Sequence, residues 1–402
     1  MPSDTGQYFD QLRTQFQAGG GDTDVIGSDV IWPAQFAASG YILDLTDRFT
    51  DQDEFLSGPM QSNTFDGKAW GVPWYTDGGL LYYRQDLLEK AGYSEPPKTW
   101  EELKEQARKV QQDEGIRFGF VFQGGEYEGG VCNGCEYIWT HGGNVLDPED
   151  PSKVIIESPE STAGLATWRS MIEDGITTRA VLQYEEETSQ ASFTDDDAVF
   201  LRNWPYVYAI VNDPEASKIE PEQVGVAPIP VGEGQSQSYS TLGGWNFSIN
   251  AASDKQDEAW EFIQWMTAPE QLSASVNRRV SYVSRVDKKA FPSHPKQSGA
   301  KSCQPIDGAS KDPRARCIKA AHPAQPLRRP GDPGQCAGRQ AGQGSDHRQH
   351  QAAPGLPVYS DVSLELAKQF NAALGGEMAP DQAVGALQSR LEEIVEQGQQ
   401  MS

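Results

Sequence analysis

Residues 72–84 read VPWYTDGGLLYYR, and this stretch carries the pattern on which the fold prediction depends. Its second part, LLYY, is a short apolar run typical of a buried strand, and the turn-forming residues Asp77, Gly78 and Gly79 come directly before it. Similar short apolar runs occur at 24–26, 118–121, 224–227 and 247–249. Segments with helical periodicity separate these runs, so the sequence predicts an α/β fold.

Local signals mark where several helices begin and end. Thr99 and Glu102 have the spacing of a capping box, and Pro159 directly follows Ser158, as at many helix starts. Further helix boundaries are predicted at 7, 16, 253, 375–376 and 380.

The composition excludes some classes of protein. The 402-residue chain is long enough for two domains, and its 37% of hydrophobic residues can form a sizeable core. A mean hydropathy of −0.60, without an apolar run of about 18 residues, argues against a membrane-spanning helix. The 33 Lys and Arg against 58 Asp and Glu give a net charge of −25, which argues against nucleic-acid binding because that needs a basic face.

Residues 288–354 differ sharply in composition from the rest of the chain. They carry 12 Lys and Arg against 4 Asp, four of the five His, three of the five Cys, and neither Trp nor Tyr. A disordered basic linker and a stretch translated in a shifted reading frame both fit this composition. The frame shift is favoured, because linkers are usually simple in composition and this stretch is mixed. We therefore assign no metal site to its His and Cys residues.

Several aromatic residues lie at turns rather than in helical stripes. They are Trp32, Trp74, Trp204 and Trp245, each close to a Gly, Pro or Asp. Such a ring either covers the core or forms a platform for a ligand, and four of them together favour a binding cleft. A sugar suits this cleft, because its C–H face stacks on a ring and its hydroxyls pair with carboxylates such as Asp29 and Asp77.

Five motifs in combination resemble those of the extracellular solute-binding proteins of carbohydrate ABC transporters, most closely the trehalose- and maltose-binding branch. They are SDVIW at 28–32, VPWYTDGGLLYYR at 72–84, QGGEYEG at 123–129, RNWPY at 202–206 and TLGGW at 241–245. The resemblance extends over 1–287 and 355–402. It implies an α/β, two-lobed fold of the periplasmic-binding-protein type, with hinge strands and the sugar bound between the lobes.

The resemblance also implies which residues contact the ligand. They are Asp29, Tyr75, Asp77, Trp204, Tyr206, Gly243, Gly244 and Trp245, with Trp32, Tyr127 and Glu128 as further candidates. It implies a monomeric, non-enzymatic receptor that binds a di- or oligosaccharide, uses neither metal nor cofactor, and delivers the sugar to the membrane subunits of an ABC permease. A glycoside hydrolase is the alternative, since it also places carboxylates near aromatic rings.

The lobes follow from the same resemblance. The first lobe is predicted over 1–83 with 250–287, and the second over 84–249 with 355–402. The predicted hinges are 77–83, 242–251 and 355–361. The signal peptide and the opening strand–helix–strand unit typical of the family have no counterpart here. We therefore expect an N-terminally truncated first lobe, and an extracellular or cell-surface location for the full-length protein.

Two smaller features have more than one interpretation. Cys132 and Cys135 form a C-x-x-C pair, which can be a redox motif, but structural cysteines are favoured, and a disulfide would suit an exported protein. Asp195, Asp196 and Asp197 suggest either a cation site or a solvated turn, and in so acidic a chain the turn is favoured.

Outside 288–354, acidic residues strongly outnumber basic ones. Only 9 Lys accompany 54 Asp and Glu there. Such a surface stays hydrated and soluble where salt screens its self-repulsion. Adaptation to high salt is therefore favoured over an ordinary acidic surface.

We predict that KCl raises the melting temperature of the protein progressively from low salt to molar concentrations, because it screens the repulsion between carboxylates. Calorimetric melts over this range measure the effect. An unchanged melting temperature would contradict the adaptation to salt.

Overall fold

A computed structural model describes residues 5–20, 22–276, 282–283 and 357–401. The segment 288–354 therefore lies outside the described residues. The α-helices are α1 (Thr5–Gln17), α2 (Pro33–Ala38), α3 (Ser57–Ser62), α4 (Gln85–Lys90), α5 (Trp100–Glu114), α6 (Glu128–Thr140), α7 (Pro159–Glu173), α8 (Glu186–Thr194), α9 (Val207–Val211), α10 (Gln256–Met266), α11 (Pro269–Val276), α12 (Tyr359–Gly375) and α13 (Pro380–Met401). The strands are β1 (Val25–Asp29), β2 (Thr64–Phe65), β3 (Lys68–Ala69), β4 (Val72–Gly78), β5 (Leu80–Arg84), β6 (Phe118–Val121), β7 (Ala198–Asn203), β8 (Val224–Ala227), β9 (Leu242–Ile249) and β10 (Tyr282–Val283).

The first lobe is built on an antiparallel sheet with the strand order β1-β9-β4-β10. The long strand β9 pairs along both of its edges, because Phe247 lies opposite Gly27 on one side and opposite Val72 on the other. Helix α10 covers this sheet, and its Ile263 joins Phe247 and Ile249 in one buried cluster. The predicted α/β architecture is confirmed in this lobe.

The second lobe is built on a sheet with the strand order β6-β7-β5-β8. Strands β6 and β7 are parallel, whereas β5 is antiparallel to both of its neighbours. Every residue of β6 and β7 is buried, as expected for strands covered by helices on both faces. Helix α12 packs so closely on α6 that a Cβ added at Gly134 would collide with the ring of Phe370.

The sheets correct the predicted lobe boundaries in two places. Strand β5 belongs to the second sheet, although 80–83 is predicted in the first lobe. Strand β9 belongs to the first sheet, although 242–249 is predicted in the second lobe. The reason is backbone pairing: β5 hydrogen-bonds to β7 and β8, and β9 hydrogen-bonds to β1 and β4. The chain therefore crosses between the lobes at Gly79 and again just before Leu242.

Most of the predicted helix signals are confirmed. Thr99 and Glu102 form a reciprocal capping box, and the Ser158 hydroxyl caps α7. Gly376 ends α12 in the left-handed conformation at φ 78°, which glycine adopts without strain. Helix α10 begins three residues later than predicted, because the Ser253 hydroxyl accepts a backbone hydrogen bond in the turn before the helix.

The C-terminal helices pack in the second lobe. Val362 and Phe370 of α12 and Leu387 and Leu391 of α13 share a buried cluster with Trp168. Within the described ranges, none of the helices combines the length and the apolar character needed to cross a membrane.

A buried ion pair in the second lobe contacts the two crossings at Gly79 and before Leu242. Arg202 of β7 donates two hydrogen bonds of 2.8 and 2.5 Å to Glu136 of α6, and the two side chains are 1% and 2% exposed. One oxygen of Glu136 also accepts the backbone N–H of Thr241 at 3.0 Å. A Cβ added at Gly79 would collide with that same oxygen. The position of these two crossings therefore depends on one carboxylate.

We predict that Glu136→Gln lowers the free energy of unfolding by about 3–5 kcal/mol, because it leaves the buried Arg202 charge without its counter-ion. Urea unfolding measures this change. The same substitution at Glu393, whose ion pair with Arg390 is exposed, is the control and is expected to change stability by less than about 1 kcal/mol. Equal effects of the two substitutions would contradict the importance of the buried pair.

Candidate functional site

A cavity of about 330 Å³ lies between the two lobes. Its walls include all eight predicted ligand-contact residues and two of the three further candidates: Asp29, Tyr75, Asp77, Tyr127, Glu128, Trp204, Tyr206, Gly243, Gly244 and Trp245. Glu186 and Glu187 of α8 add two further carboxylates, and the lining also includes apolar side chains of α6, of the loop after it and of α12. The volume is within the range of small-molecule sites.

The ends of three neighbouring strands form the first-lobe wall. Asp29 at the end of β1 lies opposite Trp245 of β9, and Asp77 of β4 lies opposite Gly243 of β9. Gly244 has φ +137°, and a Cβ at this position would collide with the carbonyl oxygen of Tyr75. Glycine is therefore required where β9 passes closest to β4.

Trp245 is held by other aromatic rings. Trp32 packs edge-on against it at 5.5 Å between ring centroids, and Tyr8 lies at 6.1 Å. Trp32 itself is 3% exposed and does not line the cavity. This corrects the prediction of Trp32 as a possible ligand contact: its ring belongs to a buried cluster and packs against the ring of Trp245.

The second-lobe wall holds Trp204 in a fixed orientation. The indole N–H donates to Glu186 at 3.1 Å, and the Arg202 guanidinium lies 4.1 Å from the ring centroid on one face. Tyr127 donates to the other oxygen of Glu186 at 2.8 Å. A Cβ at Gly243 would lie 3.2 Å from the Trp204 ring, so the two lobes approach each other here. A ring that is held at one edge and on one face, with the other face left for a ligand, is a preorganised platform.

Carboxylates dominate the charge of the cavity, and the described residues that line it include no Lys, Arg or His. Burial raises the pKa of Asp29 to about 8, and the negative charges of Glu128, Glu186 and Asp77 contribute to the increase. Burial likewise raises the pKa of Glu128 to about 7, although hydrogen bonds from Ser363 and Tyr359 oppose the increase. The site is therefore poor in protein cations and rich in hydrogen-bond acceptors.

Two residues of the site, Glu186 and Tyr359, are not identified from the sequence. Glu186 lies within a run of three glutamates, which in so acidic a chain is indistinguishable from solvated surface. Tyr359 of α12 donates to Glu128 at 3.0 Å, a contact between residues 231 positions apart. Next to it, the Ser360 hydroxyl donates to Gln35 of the first lobe, so the start of α12 contacts both lobes.

The structure also decides between the interpretations of the C-x-x-C pair. Cys132 and Cys135 lie one turn apart on α6, both buried and both reduced, so the structure contains no disulfide between them. Burial raises the pKa of both thiols, which disfavours the thiolate that redox chemistry needs.

The interpretation of 195–197 as a turn is confirmed: Asp196 has φ 70°, and its carboxylate pairs with Arg84.

Residues 1–272 match the family model of the bacterial extracellular solute-binding proteins. The chain belongs to this family. A probable ABC transporter-binding protein of Deinococcus radiodurans is 35% identical over 278 residues, which are 67% of this chain and 64% of the relative. The erythritol/L-threitol-binding protein of Mycolicibacterium smegmatis is 24% identical over 294 residues, 67% of this chain and 60% of that protein. The chain thus spans less than two thirds of the length of these relatives.

Solved structures give the same family relationship. Maltose-bound MalE3 of T. maritima is 34% identical and superposes with a TM-score of 0.79, covering 98% of this chain and 90% of that chain. The GacH receptor of Streptomyces glaucescens, solved unliganded and with acarbose, has a TM-score of 0.75 at 18% identity and supports the fold alone; it covers 98% of this chain and 89% of that chain. The two-lobed periplasmic-binding-protein fold is therefore confirmed.

We predict that Asp29→Asn makes the unliganded protein relatively more stable as the pH rises. A carboxyl group whose pKa is raised in the folded state contributes stability at low pH, and this contribution is lost as the pH rises through about 8. The difference in melting temperature between variant and wild type should therefore grow from about pH 5 to about pH 8 and stay constant above that. The control is Asp254→Asn at an exposed position. The same pH dependence in both variants would show that Asp29 is not protonated at neutral pH.

Proposed function

We propose that this chain is the sugar-binding receptor of an ABC importer, and that its ligand is a di- or oligosaccharide of the maltose or trehalose kind. The observation that carries this proposal is the interlobe cavity, in which aromatic rings and carboxylates from both lobes converge. Membership of the solute-binding family and the similarity to a maltose-bound protein support the same function.

The chemistry of the two walls suits a pyranose. The C–H face of the sugar stacks on Trp204 or Trp245, because an aromatic ring offers a large, rigid apolar surface. The hydroxyl groups donate to Asp77 and Glu186, and hydrogen bonds to charged acceptors are the stronger ones. A ligand that carries carboxylate or phosphate groups is disfavoured by the like charges of the lining.

Ligand binding also explains how a permease can distinguish the sugar-bound receptor from the empty one. Because both lobes line the cavity, an enclosed sugar stabilises the arrangement in which they are close together. In our proposal this closed form of the monomer docks on the permease outside the cytoplasm and releases the sugar there. Nucleic acid is not among the proposed partners, because the net charge of −25 disfavours its binding.

A glycoside hydrolase is the alternative, and one observation favours it. Asp29 and Glu128 both have raised pKa values in the same cavity, and hydrolysis needs a carboxyl group that is protonated near neutral pH. Family membership favours the receptor, since the matching family consists of binding proteins.

We predict that Trp204→Ala weakens maltose or trehalose binding by about tenfold to a hundredfold, the effect of removing one large ring from a buried contact. Isothermal titration calorimetry measures the affinities. Trp265→Ala is the control, because that ring is 57% exposed and lies outside the cavity lining.

The same titrated samples are then assayed for free glucose. Binding without glucose release is expected. Release of glucose would support the hydrolase, and equal affinities of the two variants would contradict the platform role of Trp204.

A further inference from the structure

The cavity between the lobes has two chemically different parts. The first, described above, is polar and aromatic. The second, here called the apolar branch, is lined by side chains of α6, of the loop after it and of α12. Its members are Val131, Cys132, Cys135, Trp139, Val145, Leu146, Val362 and Leu366.

One face of α6 connects the two parts. Glu128, Cys132, Cys135 and Trp139 follow each other at spacings of four, three and four residues, which places them on the same side of a helix. At 1.5 Å per residue, the face rises about 16 Å from the carboxylate to the indole. The cavity therefore changes from acidic to apolar along a single helix face.

The apolar part of the lining belongs to the core of the second lobe. Val362 and Leu366 are 1% and 2% exposed and belong to the same buried cluster as Val131, Cys135 and Leu146. A cavity with such walls has few hydrogen-bond partners, so a sugar hydroxyl or a water placed there loses hydrogen bonds. An apolar group placed there gains both burial and dispersion contacts.

We propose that the cavity also accepts a glycoside with an apolar aglycone, an alkyl or aryl group, whose aglycone occupies the apolar branch while its sugar occupies the polar part. This inference rests on the proposed function of the cavity as a sugar site. It extends the proposed ligands from di- and oligosaccharides to amphipathic glycosides, and it gives Cys132 and Cys135 the role of small apolar lining residues.

The test is a calorimetric titration with methyl, butyl and hexyl glucosides below their micelle concentrations, and with maltose. Affinity should rise by about three- to fourfold for each methylene group until the branch is filled. If maltose binds but the affinity does not rise from methyl to hexyl glucoside, this inference is overturned and the receptor function stays intact. Failure of maltose and of every glucoside to bind would overturn both.

A pair of matched variants locates the aglycone. Val362→Phe fills the branch and should bring the ratio of hexyl to methyl affinity close to one. Val384→Phe is the control, because Val384 of α13 is equally buried in the same cluster but does not line the cavity. Its affinity ratio should match the wild type.

A second variant keeps the test valid if Val362→Phe fails to fold. Cys135→Phe narrows the branch from α6 instead of α12 and should reduce the affinity ratio in the same way. Thermal melts establish that each variant is folded. An unchanged ratio in a folded variant of either position would overturn the assignment of the branch.

Discussion

The ion pair between Arg202 and Glu136 is the interaction on which the rest of the structure depends. It joins a central strand to a helix inside the second lobe, and the chain passes directly over it at Gly79 and Thr241 on its way between the lobes. Burying two charges is costly unless both are paired and hydrogen-bonded, and here each has several partners. The other face of Arg202 lies against Trp204, so the same pair positions one wall of the cavity.

The site combines rigid aromatic rings with buried carboxyl groups that can accept further hydrogen bonds. Trp204 and Trp245 are held by neighbouring groups, while the carboxylates between them repel each other and are partly desolvated. A sugar supplies hydroxyl donors to these acceptors and apolar faces to the rings. The apolar branch, which Cys135 lines, offers apolar contacts to a part of the ligand that has no hydroxyls.

Short-range signals made much of this architecture predictable. The strands Phe118–Val121 and Val224–Ala227 are apolar runs, and the structure has them with the predicted bounds. The lobe of β9 was not predictable, because its partners β1 and β4 lie far away in sequence. The motifs led to the cavity residues, but the position of Trp32 behind Trp245 depends on packing, and Glu186 resembles any other surface glutamate in this acidic chain.

The central claim is that one sugar contacts both lobes at once. Hydrogen–deuterium exchange with and without saturating maltose tests it most directly, because protection reports on each segment separately. The account predicts slower exchange in β4 and β9 of the first lobe and, in the same experiment, around 204–206 of the second lobe. Protection confined to one lobe, or none at a maltose concentration that saturates binding, would contradict it.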